Sequence, residues 1–298
     1  MNIDDLDEKF AIEGEVGFAE LEGDLPFVMV SNKYAEANIC LYGAQITNYR
    51  TVRSMDILWM SPESSFERGK AIRGGVPVCF PWFGPHESNA DFPQHGFARV
   101  MDWEVTETAT LEAGETLVCL QLKSSEENKK YWPYEFVAEM RFVIGAMLEV
   151  ELKVTNTSDK DIDYTCALHS YFNISALANI SIEGLQNTAY ENQLDGKEYR
   201  QEEECLTISE PITRHYFDTE TTCVISDPVF NNRISVEKSG SKNTTVWNPG
   251  AETSKEIGDM PDESFESFVC VETVNKRNDI VILAPGESHT TSAIISAE

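Results

Sequence analysis

The sequence predicts an all-β fold, an antiparallel sandwich or barrel, on three observations. Leu148-Glu149-Val150-Glu151-Leu152-Lys153-Val154-Thr155 alternates apolar and polar side chains, and so does Arg233-Ile234-Ser235-Val236-Glu237-Lys238, the pattern of a strand with one face buried. Short β-rich runs recur along the whole chain, with turn signals such as Asn156-Thr157-Ser158-Asp159, Asp195-Gly196 and Pro285-Gly286 between them. No long segment spaces its apolar residues by three and four, so a βαβ fold is disfavoured.

In chain order the strand runs centre on Phe10, Phe27, Ile39, Ile46, Leu58, Trp103, Leu120, Phe142, Ile180, Ile208, Val224, Val246, Val269 and Ile282. Asn32 to Asn38 and Ser124 to Trp132 read equally as short helices or as turns. The acidic stretch Gln201 to Glu204 and the segment Gly250 to Ser267 read as exposed loops. No Pro- or Ser-rich linker divides the chain, so residues 1–298 read as a single domain.

With 298 residues, 41% hydrophobic and 25% charged, the chain can bury a sizeable core. The start, Asn2-Ile3-Asp4-Asp5-Leu6-Asp7-Glu8, is acidic where a signal peptide is basic. No apolar run is long enough to span a bilayer. A soluble, cytoplasmic protein is expected. The seven cysteines lack a C-x-x-C pair and several lie in apolar runs, as buried reduced thiols do. A net charge of −28 argues against nucleic-acid or anionic-membrane partners. An anionic substrate would then need locally clustered basic residues, which makes each arginine more informative.

The densest chemistry lies between Arg73 and Arg99. Arg73-Gly74-Gly75-Val76-Pro77-Val78-Cys79-Phe80-Pro81-Trp82-Phe83-Gly84-Pro85 is too rich in proline, glycine and aromatics for a regular helix or central strand. It suits a rigid loop with aromatic walls, a common carrier of binding groups. Pro93-Gln94-His95-Gly96-Phe97-Ala98-Arg99 follows, and Gln94, His95 and the arginines suit hydroxyls and an anion. Arg68 and Lys70 add basic charge nearby. The residues alone fit equally a packed crossover whose arginines pair with surface acids. A second cluster, Ala167-Leu168-His169-Ser170-Tyr171-Phe172-Asn173, holds one of five histidines. A histidine there is either a packed core residue or a proton donor and acceptor near neutral pH. In Ser267-Phe268-Val269-Cys270-Val271-Glu272-Thr273, Glu272 closes an apolar run. Solvent is the default for a glutamate, whereas burial would raise its pKa and make it a better base.

Taken together, these stretches resemble the hexose-6-phosphate mutarotase family, the glucose-6-phosphate 1-epimerases within the aldose 1-epimerase superfamily. The resemblance runs through Ile72 to Gly84, Pro93 to Arg99, Leu168 to Phe172, Val246-Trp247-Asn248-Pro249 and Phe268 to Glu272, in family order over most of the chain. It implies a large antiparallel β-sandwich of the galactose mutarotase-like kind, no metal and no cofactor, and a sugar phosphate as the small-molecule partner; no motif suggests an oligomerisation element, so a monomer is expected. It also implies that His169 and Glu272 are catalytic and that Arg73, Gln94 and Arg99 bind substrate, with His95 beside them. Where the family carries a substrate-binding aspartate three residues before a tyrosine, Thr213 precedes Tyr216 here, so that contact loses its charge. Three alternatives remain open. An epimerase of unphosphorylated hexoses would share the acid–base pair without needing the arginines. A catalytically silent carbohydrate-binding protein would use the same sandwich. A glycoside hydrolase would need a second carboxylate besides Glu272.

Overall fold

The computed structural model describes residues 2–298, and its strand pairings are antiparallel throughout the named strands, as expected. Two eight-stranded sheets dominate, with a four-stranded sheet over residues 16–51 and a two-stranded ribbon beside them. The first large sheet, called here the site sheet, runs in the order Lys197–Arg200, Ala189–Asn192, Ile212–Tyr216, Asn243–Asn248, Phe268–Asn275, Cys166–Leu168 and Val78–Cys79. Its eighth strand, Tyr171–Asn173, also pairs with Phe268–Asn275. The second large sheet includes Thr116–Lys123, Phe136–Ile144, Leu148–Asn156, Asn232–Ser239 and Ser288–Ala297.

Side-chain periodicity explains the layering. Leu148–Asn156 buries every second residue and leaves Glu149, Glu151 and Lys153 outward, so the second sheet has one wet face. Its inner face joins Val150, Leu152, Val154, Ala293 and Ile295 to Phe172, Val246, Val269 and Val271 of the site sheet in one core. Phe268–Asn275 is buried at all eight positions, because its other face is also covered. There Trp59, Tyr171, Cys270, Phe268 and Met260 form a separate apolar cluster, with Trp247 packed against it. The central strand is therefore the floor of a covered site.

Several local expectations need correction. Where a strand run around Phe10 is expected, Phe10 ends a helix, Ile3–Phe10: Asn2 caps it, Asp4 and Asp5 fill its first turn and Lys9 its last, all favourable to a helix dipole. Asn32 begins a turn, its side chain accepting from Tyr34 and Ala35 N–H at 2.9 and 3.0 Å, and a strand, Ala35–Cys40, follows. Ser124 to Trp132 is a turn with one short 3-10 segment at Asn128–Lys130. Leu58 and Ile208 are buried without belonging to a strand. Gln201 is buried, accepting from Arg214 and Tyr216, while Glu202 to Glu204 are exposed. Among the described residues no helix is long and apolar enough to cross a membrane.

Candidate active site

The loop carrying Arg73 is threaded between two elements that leave no room for side chains. A Cβ on Gly75 would lie 2.1 Å from the Ile46 carbonyl oxygen, and Gly75 has φ +60°, a region that favours glycine. Buried Gln45 donates to the carbonyls of Ile72 and Gly74 at 3.2 and 2.7 Å, fixing the backbone on both sides of Arg73. The guanidinium is thereby aimed at Asp259, Nε to Oδ1 3.1 Å, and at the Tyr171 hydroxyl, 3.2 Å. Burial opposes its charge, yet Tyr171 and Asp259 raise its pKa overall. The segment Gly250 to Ser267 is thus not simply an exposed loop. Met260 is buried within it, Ser61 Oγ holds the Asp259 carbonyl at 2.7 Å, and Asp259 takes part in the site.

The second half of the same segment folds back on the first. His95 N donates to the Gly84 carbonyl at 2.7 Å, and Gly84 N donates to His95 Nδ1 at 3.1 Å. His95 itself sits at φ +63°, an uncommon backbone state for a side-chain-bearing residue that tends to gather at functional sites. Because Nδ1 accepts from a backbone N–H, the neutral ring carries its proton on Nε2. That atom lies 3.3 Å from the Gln94 side-chain amide. Burial first, then Arg99, His169, Arg73 and Lys276, hold His95 well below the ordinary histidine range. Arg99 donates to the Gln94 carbonyl at 2.7 Å and forms no ion pair among the described residues. Arg68 and Lys70 do not join this group: they pair at the surface with Asp102 and Glu67.

His169 and Glu272 meet across two neighbouring strands of the site sheet. His169 follows Cys166–Leu168, its N–H bound to the Pro77 carbonyl at 3.1 Å. Its Nε2 is 3.5 Å from Glu272 Oε1. The imidazole lies flat on Tyr171, centroids 4.9 Å apart at 15°, with His95 and Trp247 edge-on. Glu272 does not face solvent: it is 2% exposed and lies inside the central strand. His169 Nδ1 and Glu272 Oε2 are buried without a hydrogen-bond partner, which is costly unless a ligand satisfies them. Burial raises Glu272 well above the usual carboxylate range, opposed by Lys276. Burial, then Arg99 and Arg73, lower His169 to about 3. Both shifts favour the neutral form of each group.

Thr213 reaches the same face from further away. In register, Thr213 is opposite Trp247, and Trp247 is opposite Cys270, so all three point to one side of the sheet. The Thr213 hydroxyl makes no hydrogen bond among the described residues, while its carbonyl accepts from Gln193 N at 2.9 Å. His215, two residues on, shares that face and is the titratable group the sequence reading passes over. Its Nδ1 meets Thr245 Oγ1 and its Nε2 meets Gln193 Oε1, both at 2.8 Å, and Thr245 is registered against Glu272. Its alternation with Thr213 along the strand was the available signal. Lys276, four residues after Glu272, was also missed. Its ammonium lies 5.3 Å from the centre of the Phe83 ring and makes no ion pair or hydrogen bond among the described residues. Among those residues no group of three or more His, Cys, Asp or Glu is placed to hold a metal ion. A separate cleft of about 420 Å³, lined by Phe27, Phe66, Trp59, Asn48, Asp56 and Asn173 among others, contains none of the sequence-predicted residues.

Comparison with known proteins gives consistent results. The family model described as Aldose 1-epimerase matches residues 26–296. A protein of Salmonella typhimurium, provisionally named glucose-6-phosphate 1-epimerase, is 36% identical over 84% of this chain and 83% of its own. A provisionally named glucose-6-phosphate 1-epimerase of the plant Cenchrus ciliaris is 30% identical over 88% and 81%. A crystal structure of a provisionally named mutarotase from Salmonella typhimurium superposes with a TM-score of 0.90 at 32% identity, over 97% of this chain and 95% of that one. A galactose mutarotase-like protein from Lactobacillus casei superposes with a TM-score of 0.74 at 16% identity, over 91% of this chain and 100% of that one, which bears on the fold alone.

Proposed function

The chain belongs to the aldose 1-epimerase family and is a sugar epimerase, and on that premise we propose that it interconverts the α and β anomers of a hexose 6-phosphate, glucose 6-phosphate foremost. The observation that carries this reading is the juxtaposition of a buried, hydrogen-bond-starved His169–Glu272 pair with Arg99, a guanidinium free of any carboxylate among the described residues. An arginine in that state suits a phosphate dianion. The names carried by the Salmonella typhimurium and Cenchrus ciliaris relatives support the same substrate.

In this mechanism Glu272, as carboxylate, takes the proton of the anomeric hydroxyl while His169 protonates the ring oxygen. The bond between C1 and the ring oxygen breaks as the C1 carbonyl forms. Rotation about C1–C2 presents the other face, and each group reverses its role for closure. Only protons move, and each acid–base group typically contributes roughly 10²–10⁴-fold. His95, neutral with its proton on Nε2, donates to the ring oxygen or a neighbouring hydroxyl. Gln94 and Thr213 add contacts to hydroxyls, and Arg73 braces the phosphate from its Asp259 pair. The reading takes the chain as one domain acting as a cytoplasmic monomer without metal or cofactor. One shared core supports the first point and seven free cysteines support a reducing compartment.

A second reading, epimerisation of unphosphorylated hexoses, draws on one observation: Arg73 already has a carboxylate partner. The deciding measurement is the anomerisation rate of fresh α-glucose 6-phosphate beside α-glucose and α-galactose, followed by magnetisation-exchange NMR. The phosphate ester is expected to be strongly preferred. Glu272→Gln should lower the rate roughly 10²–10⁴-fold. Arg99→Ala should cut the preference by about 10–100-fold, the worth of a charge-assisted contact. Free hexoses handled as fast as the ester would overturn the phosphate assignment and leave the epimerase intact.

A further inference from the structure

Each arginine of the site is linked to the His169 ring through one or two intervening residues. Arg73 donates to the Tyr171 hydroxyl at 3.2 Å, and Tyr171 stacks on His169. Arg99 donates to the Gln94 carbonyl, the Gln94 amide lies 3.3 Å from His95 Nε2, and the His95 ring meets His169 edge-on at 5.6 Å. The other charged or titratable groups on this side are Glu272, 3.5 Å from His169 Nε2, Lys276, which acts on Glu272 and His95, and the Cys270 thiol, whose pKa burial and Glu272 push up. Asp259 pairs directly with Arg73 and acts on Arg99 only at longer range, and Arg99 forms no ion pair among the described residues. A histidine that must become cationic to protonate a ring oxygen thus faces a guanidinium that has no carboxylate bound to it. Substrate must also supply partners for His169 Nδ1 and Glu272 Oε2.

Resting on the phosphohexose reading, we propose that the substrate's phosphate dianion is the switch that arms the acid–base pair. Seated on Arg99 with Arg73 beside it, the dianion cancels the positive charge facing His169, and the proton shared by the pair passes from the Glu272 carboxyl to the imidazole. No proton enters or leaves the site in this step. It yields the carboxylate base and the imidazolium acid that ring opening consumes and ring closure restores. Burial is the first cause that disfavours the imidazolium, but Arg99 and Arg73 are the next causes acting on His169, and these are the ones an anion removes. Specificity then arises partly in the rate of the chemical step and not only in binding, which is where discrimination between substrates raises turnover.

The test supplies the substrate in two pieces, α-glucose and inorganic phosphite dianion, with anomerisation followed by magnetisation-exchange NMR. Saturating phosphite is expected to accelerate glucose anomerisation at least about 10-fold, a modest share of one acid–base contribution. Arg99→Met should abolish that activation and raise the phosphite-free rate on glucose several-fold, because the opposing charge is gone. On the wild-type protein, the ¹⁵N resonances of the His169 imidazole should move from neutral to imidazolium positions when phosphite is added. Phosphite that leaves both rate and resonances unchanged, or only inhibits, overturns the switch if glucose 6-phosphate is still strongly preferred over glucose. If the ester is not preferred at all, the substrate reading itself has failed.

Discussion

His215 shows how one side chain beside the site ties stability to acidity. Burial first, then Lys276 and Arg277, lower it from the ordinary 6.5 to about 4, and both ring nitrogens are engaged by Thr245 and Gln193. A histidine held neutral in the fold but free to protonate when unfolded stabilises fully above its unfolded pKa. That contribution is lost as pH falls through the folded pKa. The window here runs from about 6.5 down to about 4. His215→Gln should therefore flatten the acid limb of a denaturation-versus-pH curve by roughly 1–3 kcal/mol between pH 7 and 4. Superimposable acid limbs for wild type and variant would refute the assignment. His169 adds a limb of the same sign that extends lower.

At the scale of elements, the two halves of the Arg73–Arg99 segment are fastened at Gly96. A Cβ there would sit 2.0 Å from the Phe80 carbonyl oxygen, and its φ is +77°. Gly96→Ala must push Gln94, His95 and Arg99 away from Pro81, so we expect a loss of roughly 2–4 kcal/mol by thermal unfolding. Activity should fall further than stability, because a displaced segment loses its substrate contacts while the sheets persist. A variant equally active and only less stable would show that the fastening is structural alone. Much of this layer was legible in the residues. Period-two alternation marked the strands of the second sheet, and Gly-Gly and Pro-rich composition marked an irregular loop. Other features were not. Glu272 reads as a rim residue because a strand buried on both faces has no alternation to reveal which side holds a pocket. Asp259 looks like one acid among 51, since only the fold of residues 250–267 brings it to Arg73. The helix Ile3–Phe10 is signalled by its cap and end charges more than by its apolar spacing, with Leu6 its one buried residue.

For the whole molecule, a net charge of −28 acts on the fold as self-repulsion. The ion pairs that oppose it are mostly exposed, such as Arg50–Glu36 and Arg233–Glu183, and exposed pairs contribute little. Raising NaCl from about 0.02 to 0.5 M should shorten the reach of the repulsion to a few ångströms and raise Tm by about 2–5 °C. A fall in Tm would mean that the ion pairs outweigh the excess charge. The charge is also placed where the sheets stop. The site sheet ends in Lys197–Arg200, exposed at all four residues, and the second ends in Glu104–Thr110, which exposes Glu104, Thr106, Glu107 and Thr110. Unpaired strand edges are templates on which further chains can polymerise, and charged side chains along them are a common safeguard. At crowded concentrations charges on these two rims disfavour the growth of so strand-rich a protein into fibrils.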